Sequence, residues 1–216
     1  MNAFLSLKDH VYNYISQAIN EGRLKPNEKI NEKLIMEDLN ISRTPVREAF
    51  LELSVEGYLE NVPRKGFHVK RVDEKKAQEV YELLGVLDAL CATSVLQILD
   101  SNDYKTMESA IEYMDLAIQK NDFSTYYEYQ NVFHNTYIDK CTNHELVRMI
   151  MNLKKIFIRQ SYENIDDEHL LRSLQKTNDE HKEILKLMKS NKVPELEAYV
   201  KAVHWDPKNA YYDSFE

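Results

Sequence analysis

The chain has 216 residues, of which 43% are hydrophobic and 30% charged, and it contains only 4 glycines and 5 prolines. This scarcity of helix breakers favours a mostly α-helical protein of one or two domains. The two cysteines, Cys91 and Cys141, stand in no C-x-x-C arrangement, so neither a zinc ribbon nor a disulfide framework is indicated. We expect a cytoplasmic location and no membrane partner, since neither a signal-peptide pattern nor 18 consecutive apolar residues occurs.

Charge is distributed unevenly along the chain. The net charge of −8 by itself disfavours a nucleic-acid partner. Residues 1–72, however, carry 11 Lys and Arg against 10 Asp and Glu, whereas residues 73–216 carry 17 against 26. Because attraction to phosphate depends on the local surface, the N-terminal part is compatible with DNA binding if its arginines cluster.

The first 41 residues predict two helices joined by a short turn. Apolar residues at helical spacing predict the first helix over about residues 6–21. Pro26 favours a turn after it, and Asn31 is typical of the residue that caps a second, short helix. The apolar face of that second helix is predicted to carry Leu34, Ile35 and Leu39. Two short helices so close together indicate a helix-turn-helix.

The segment Ser42–Phe50, with the sequence SRTPVREAF, is typical of a third helix whose N-terminus is capped by the hydroxyl of Ser42 or of Thr44. Its inward face is predicted to carry Val46, Ala49, Phe50 and Leu53. Its outer face carries Ser42, Arg43, Thr44 and Arg47. Such a helix tip fits a DNA major groove, where arginine reads guanine and hydroxyls meet phosphate. The alternative is a surface helix with scattered arginines.

A β-hairpin is predicted after this helix. Alternating residues 58–62 and 67–70 flank the turn Pro63–Gly66, which holds Arg64 and Lys65 at its tip. A hairpin of this kind is called a wing, and its basic tip could contact phosphate or the minor groove. The alternative is an ordinary solvated hairpin. The order of helix, helix-turn-helix and basic wing within 70 residues favours the DNA-binding interpretation.

The N-terminal motifs resemble those of a known protein family. The stretch from Ile19 to Val69, INEGRLKPNEKINEKLIMEDLNISRTPVREAFLELSVEGYLENVPRKGFHV, resembles the winged-helix domain of GntR-family transcriptional regulators. Asn27 stands where that family usually has glycine, and asparagine tolerates the same left-handed conformation. The resemblance implies a DNA-binding domain over residues 1–72. The positions that it implies at the operator are Arg23, Arg43, Thr44, Arg47, Lys65 and Gly66.

Residues 73–216 predict a second domain, an all-α bundle of about six helices. Polar residues interrupt its apolar stripes at Gln130 and His134 on one helix, His181 on another and His204 on a third. A buried imidazole needs a partner, and a shared metal ion would satisfy all three histidines at once. A hydrogen-bonded polar core remains the alternative.

The segments QNVFH, NDEHKEIL and AYVKAVH resemble the FCD ligand-binding domain of the FadR-type branch of the GntR family. The resemblance implies a divalent cation, which for histidine ligands is Zn, Ni, Co or Mn, at the floor of an effector pocket. Its ligand positions are Gln130, His134, His181 and His204. The family often has an arginine where this chain has Leu84, and Arg159 and Arg172 are only weakly placed to substitute for it.

Three functions fit this organisation. The first is a homodimeric transcriptional regulator that binds double-stranded operator DNA and a small-molecule effector, expected to be a carboxylate metabolite. The second is a metal-dependent enzyme, and the third is a sensor of the metal itself. We expect no enzyme, because no Asp or Glu lies on the predicted stripes beside the histidines and a fused DNA-binding unit would be unexplained.

Overall fold

The computed structural model describes residues 6–20, 23–71, 73–154 and 167–213. These residues are mostly helical and include one small two-stranded sheet, as the sequence predicts. The described residues form two compact units: the first holds those up to Glu74 together with residues 152–154 and Asp213, and the second holds residues 75–151 and 167–212. The predicted domain bounds, 1–72 and 73–216, stay a prediction. No helix in the described ranges combines the length and apolarity that a membrane span requires.

The first unit is a winged helix-turn-helix. Its elements are α1 (Leu7–Asn20), α2 (Glu32–Leu39), α3 (Arg43–Val55), β1 (Leu59–Val62) and β2 (Gly66–Val69). The two strands are antiparallel, with Leu59 opposite Val69 and Val62 opposite Gly66. A further antiparallel bridge joins Lys29 to His68 and ties the segment before α2 to the wing.

Local chemistry explains where α2 and α3 begin and end. The Asn31 side chain accepts a hydrogen bond from the Lys33 amide and caps α2 as predicted. Asn40 ends α2 in the left-handed conformation, at φ 52°. Ser42 is the residue before α3 and is extended, but its hydroxyl makes no capping bond, so the predicted cap by Ser42 is wrong.

The predicted inward face of α3 is confirmed. Val46, Ala49, Phe50 and Leu53 are all fully buried. Phe50 meets Phe67 of the wing edge-on, with ring centroids 5.2 Å apart, so the core itself fixes the hairpin against α3. The prediction for α2 is wrong at Leu34, which is 52% exposed, while Ile35 takes the buried place.

The second unit is the predicted bundle, with six α-helices among its described residues. They are α4 (Glu74–Ser94), α5 (Ser101–Gln119), α6 (Phe123–Ile138), α7 (His144–Lys154), α8 (Asp167–Lys189) and α9 (Val193–Tyr199). A π-helical turn, Val200–His204, continues α9, and a 3-10 helix, Pro207–Asp213, follows. Asp100 and Asp103 form a reciprocal capping box at the start of α5.

Helix α4 approaches the π-helical turn closely at Gly85. A Cβ atom at that position would lie 3.3 Å from the Lys201 carbonyl oxygen and 3.3 Å from Cβ of Trp205. Glycine therefore lets α4 come near the end of the chain's last helical segment. Consecutive residues His204 and Trp205 are both buried there, and π-helical turns frequently occur at functional sites.

Candidate nucleic-acid interface and metal centre

The outer face of α3 is exposed at every position that the sequence assigned to it: Ser42, Arg43, Thr44 and Arg47. The Arg43 and Arg47 side chains are 66% and 54% exposed. Because the opposite face of α3 is packed into the core, these side chains project from a fixed helix. The arrangement suits groups that must reach a groove without moving the backbone.

An acidic residue that the sequence analysis missed lies beside both arginines. Glu32, in the first turn of α2, lies 3.3 Å from Nε of Arg43 and 3.7 Å from Nε of Arg47. The carboxylate is a partner in another helix, so no local pattern in α3 indicates it. Glu32 both orients the two guanidinium groups and places one negative charge next to them.

The wing tip combines positive charge with an unusual backbone. Arg64 and Lys65 are exposed. Arg64 has φ 65° and Gly66 has φ 94°, both in the left-handed region. Arg23, the remaining predicted contact, is exposed, and its guanidinium lies 5.6 Å from the centre of the Tyr14 ring.

The three predicted histidines converge in the second unit. His134, on α6, is 1% exposed; His181, on α8, is fully buried; and His204, at the π-helical turn, is 7% exposed. Nε2 of His134 lies 3.2 Å from Nε2 of His181 and 3.4 Å from Nε2 of His204. The three nitrogens lie within 4.8 Å of one another. The sequence pattern therefore found three residues that the fold brings together.

The other ring nitrogen of His134 enters a chain of polar groups. Its Nδ1 lies 2.7 Å from the Tyr137 hydroxyl, which donates to Oδ1 of Asp88 at 2.7 Å. Nε1 of Trp205 donates to Oδ2 of the same carboxylate at 2.8 Å. Burial and the nearby Asp88 carboxylate raise the pKa of Tyr137 well above its ordinary value, so the hydroxyl keeps its proton.

His204 also has a carboxylate partner. Oε2 of Glu180 lies 3.2 Å from Nδ1 of His204, and Glu180 is 6% exposed. The expected absence of Asp and Glu concerned only the apolar stripes beside the histidines, and the fold places the carboxylates of Asp88 and Glu180 behind two of the rings. Asp88 had a signal in the sequence, because it is the one charged residue in the apolar stretch 83–99. Glu180 directly precedes His181 on α8, and only the tertiary structure shows that its carboxylate lies beside His204.

Other predicted site residues have different surroundings. Gln130 lies on α6, one turn before His134, and is half-buried; its ligation stays a prediction. Leu84 is fully buried in the core. Arg172 is exposed and pairs with Glu168 on its own helix. Arg159 lies outside the described residues.

The donor set suits a transition metal. Nitrogens that bind tetrahedral zinc at 2.0–2.1 Å lie about 3.3 Å apart, which agrees with the two shorter separations between the Nε2 atoms. Imidazole nitrogen is a good ligand for zinc, nickel and cobalt and a poor one for calcium and magnesium. The buried carboxylates behind two of the rings match the usual surroundings of ligating histidines.

Comparison with known families identifies both parts of the chain. Residues 7–69 match the family described as "Bacterial regulatory proteins, gntR family", and residues 79–203 match the FCD domain. The FCD match alone spans more than half of the 216 residues.

Individual relatives agree with these matches. The chain is 27% identical over 146 residues to the uncharacterized HTH-type transcriptional regulator YdhC of Bacillus subtilis, a match that covers 67% of this chain and 65% of that relative. It is 20% identical over 166 residues to the HTH-type transcriptional repressor RspR of Escherichia coli, covering 77% and 73%. The solved structure of E. coli McbR/YncC has a TM-score of 0.78 at 22% identity, over 97% of this chain and 98% of that one. This structural likeness confirms the fold.

Proposed function

This chain belongs to the gntR family of bacterial regulatory proteins and carries an FCD domain. We propose that it is a homodimeric regulator that binds a small molecule in a metal-containing pocket, and that this binding changes its affinity for operator DNA. The family and these relatives are DNA-binding transcriptional regulators rather than enzymes. In the proposal the two units divide the tasks, with DNA contact in the first and effector binding in the second.

The first unit supplies the DNA contacts in this proposal. Arg43 and Arg47 read base edges in the major groove, because a guanidinium can donate two hydrogen bonds to guanine. Ser42 and Thr44 contact phosphates beside the helix N-terminus. The wing residues Arg64, Lys65 and Gly66, together with Arg23, add contacts to the backbone or the minor groove.

Two copies of the chain are needed to recognise an operator long enough for specific binding. One recognition helix reads only a few base pairs, whereas a two-fold dimer reads two half-sites. An exposed apolar row on α4 supports pairing through the second unit. Its members, each about half exposed, are Leu83, Val86 and Leu90.

The convergence of three buried Nε2 atoms is the observation that carries the metal site. His134, His181 and His204 would hold the ion, and Gln130 would offer a weaker amide oxygen from the same helix as His134. When bound, the ion supplies positive charge and open coordination positions. A carboxylate effector could occupy these positions. The ion would then hold the carboxylate in place of the arginine that the family often has at the position of Leu84.

The experiment uses a reporter that the chain itself provides. Trp205 is the one tryptophan of the sequence and lies 5.3 Å from the His204 ring, between ring centroids. Protein purified without chelators or nickel resin is analysed for metals, stripped and titrated with Zn, Ni, Co and Mn. We expect about one ion per chain and a change of Trp205 fluorescence on binding. Small carboxylic acids are then titrated into the loaded protein.

Operator binding is measured by fluorescence anisotropy on a selected DNA, with metal alone and with each acid. We expect acids to change the DNA affinity only in the metal-loaded protein. If metal alone changes DNA affinity and no acid does, the ion is itself the signal and the effector half of the proposal is wrong. If the stripped protein takes up no ion, the histidines form a hydrogen-bonded core.

A further inference from the structure

The proposed ligand set carries no charge. Three neutral imidazoles and the Gln130 amide would surround an ion of charge +2 in a buried site, and an unbalanced buried charge is costly. Two carboxylates lie in the same site, Asp88 at 1% and Glu180 at 6% exposure. In the described part of the chain, the basic side chains recorded within 4.0 Å of these carboxylates are His134 and His204 rather than lysine or arginine.

We infer that Asp88 and Glu180 are positioning residues for the proposed metal site, on which this inference rests. They fix the proton on Nδ1 of His134 and of His204, and they supply the two negative charges that the ligands lack. Each carboxylate acts through a ring nitrogen that faces away from the ion. One acts directly and the other acts through the Tyr137 hydroxyl.

The direct contact is between Glu180 and His204. An ionised carboxylate only accepts hydrogen bonds, so the 3.2 Å contact with Oε2 requires the proton on Nδ1 of His204. A neutral imidazole carries one ring proton. Nε2 of His204, which faces the other two histidines, then presents a lone pair.

The relayed contact follows from counting protons. The Tyr137 hydroxyl has one proton, and it donates this proton to Asp88, whose other oxygen accepts from Trp205. The hydroxyl oxygen must therefore accept from Nδ1 of His134, 2.7 Å away. Nε2 of His134 is left without a proton, as at His204.

Two unprotonated nitrogens then face each other. Nε2 of His134 and Nε2 of His204 are 3.4 Å apart, and neither has a proton to donate to the other. Nε2 of His181 lies 3.2 Å from that of His134 and can donate to only one lone pair. A cation that all three nitrogens ligate removes this repulsion, and the two carboxylates balance its charge.

The charge is tested with substitutions that keep the shape. Glu180→Gln retains an oxygen that can accept from His204, and Asp88→Asn retains one that can accept from Tyr137. We expect each variant to bind Zn²⁺ about 10–100-fold more weakly than the wild type, the range for residues behind the ligands. Affinity is measured by competition with a chromophoric chelator, and Co²⁺ spectra report whether the coordination geometry is kept.

The proton positions are tested without metal. Nitrogen-15 NMR of the neutral histidines in the metal-free protein should place the proton on Nδ1 of both His134 and His204. Tyr137→Phe removes the relay but keeps both carboxylates, so it should shift the His134 proton toward Nε2 and leave His204 unchanged. A purely structural role for Tyr137 would not move this equilibrium.

Asp103→Asn is the matched control, since Asp103 is a buried carboxylate of the same unit that pairs with Lys140. It should lower thermal stability without changing Zn²⁺ affinity. The inference is wrong if Glu180→Gln and Asp88→Asn bind Zn²⁺ within about threefold of the wild type, well below the range for residues behind the ligands, or if Nε2 carries the proton in either wild-type histidine. A wild type that binds no ion refutes the proposed metal site instead, and the NMR result still decides the proton positions.

Discussion

The two units place their polar groups in opposite ways. The first unit packs an apolar core beneath α3 and presents Arg43 and Arg47 to solvent. The second unit buries its polar groups, including His134, His181 and Asp88, inside the bundle. Exposed groups act through long-range attraction that salt weakens, whereas buried groups need a partner for every proton and charge. Substitutions should therefore have moderate effects in the first unit and large ones in the second.

The largest effect is expected at a buried ligand. His181→Ala removes one of three strong ligands and should weaken Zn²⁺ binding by more than about 100-fold, above the range for residues behind the ligands. Gln130→Ala should weaken it less, because a neutral amide is the poorest donor of the four. Chelator competition measures both.

His169→Ala is the matched control for that variant, since His169 lies on the same helix and is exposed. It should bind Zn²⁺ like the wild type. Equal affinity of His181→Ala and the wild type would mean that the three histidines do not form the site.

An intermediate effect on operator binding is expected at the exposed face of α3. Arg47→Ala should cost about 1–3 kcal/mol of operator binding if the guanidinium contacts a guanine. Because Arg47 is half exposed, the thermal stability should change by less than about 0.5 kcal/mol. Anisotropy titrations at fixed salt and thermal unfolding separate the two quantities.

Arg148→Ala controls for loss of a positive charge, since Arg148 is an exposed arginine of the second unit that pairs with Glu145. Its operator affinity should equal that of the wild type. If Arg47→Ala binds the operator as tightly as this control does, the assigned reading face is wrong.

The smallest effect is expected at Glu32. Glu32→Gln removes a negative charge 3.3 Å from Arg43, so it should tighten binding to random DNA. The gain should be less than about 1 kcal/mol, because the Arg43 side chain is 66% exposed and solvent screens the pair. Glu37→Gln, which alters an exposed glutamate on the same helix, should leave the affinity unchanged. Weaker binding of Glu32→Gln to random DNA would indicate that Glu32 chiefly orients the arginines.

The sequence predicts the first unit well because its signals are local. Caps, turns and the spacing of Val46, Ala49, Phe50 and Leu53 all lie within a few residues of the structure that they specify. The outer face of α3 follows from the same spacing. Glu32 escapes such reasoning, because its contacts with the arginines depend on the angle between two helices.

The candidate metal site is only half readable from sequence. Three histidines stand out because they interrupt apolar stripes, and the structure brings them together. Their partners Asp88 and Glu180 come from α4 and α8, and the contacts depend on tertiary packing that periodicity does not encode. The close contact between Gly85 of α4 and the π-helical turn is equally hidden in the sequence, since a glycine does not reveal which segment packs against it.

The left-handed backbone at Arg64 has a consequence for the evolution of the wing. A residue with a Cβ atom costs about 1–2 kcal/mol in that conformation, and glycine would relieve most of it. Selection for a more stable fold alone would thus favour glycine at position 64. In the proposed DNA complex, an arginine at position 64 gives up this stability for a positive charge in the turn of the hairpin, so fold and function would compete at the wing tip.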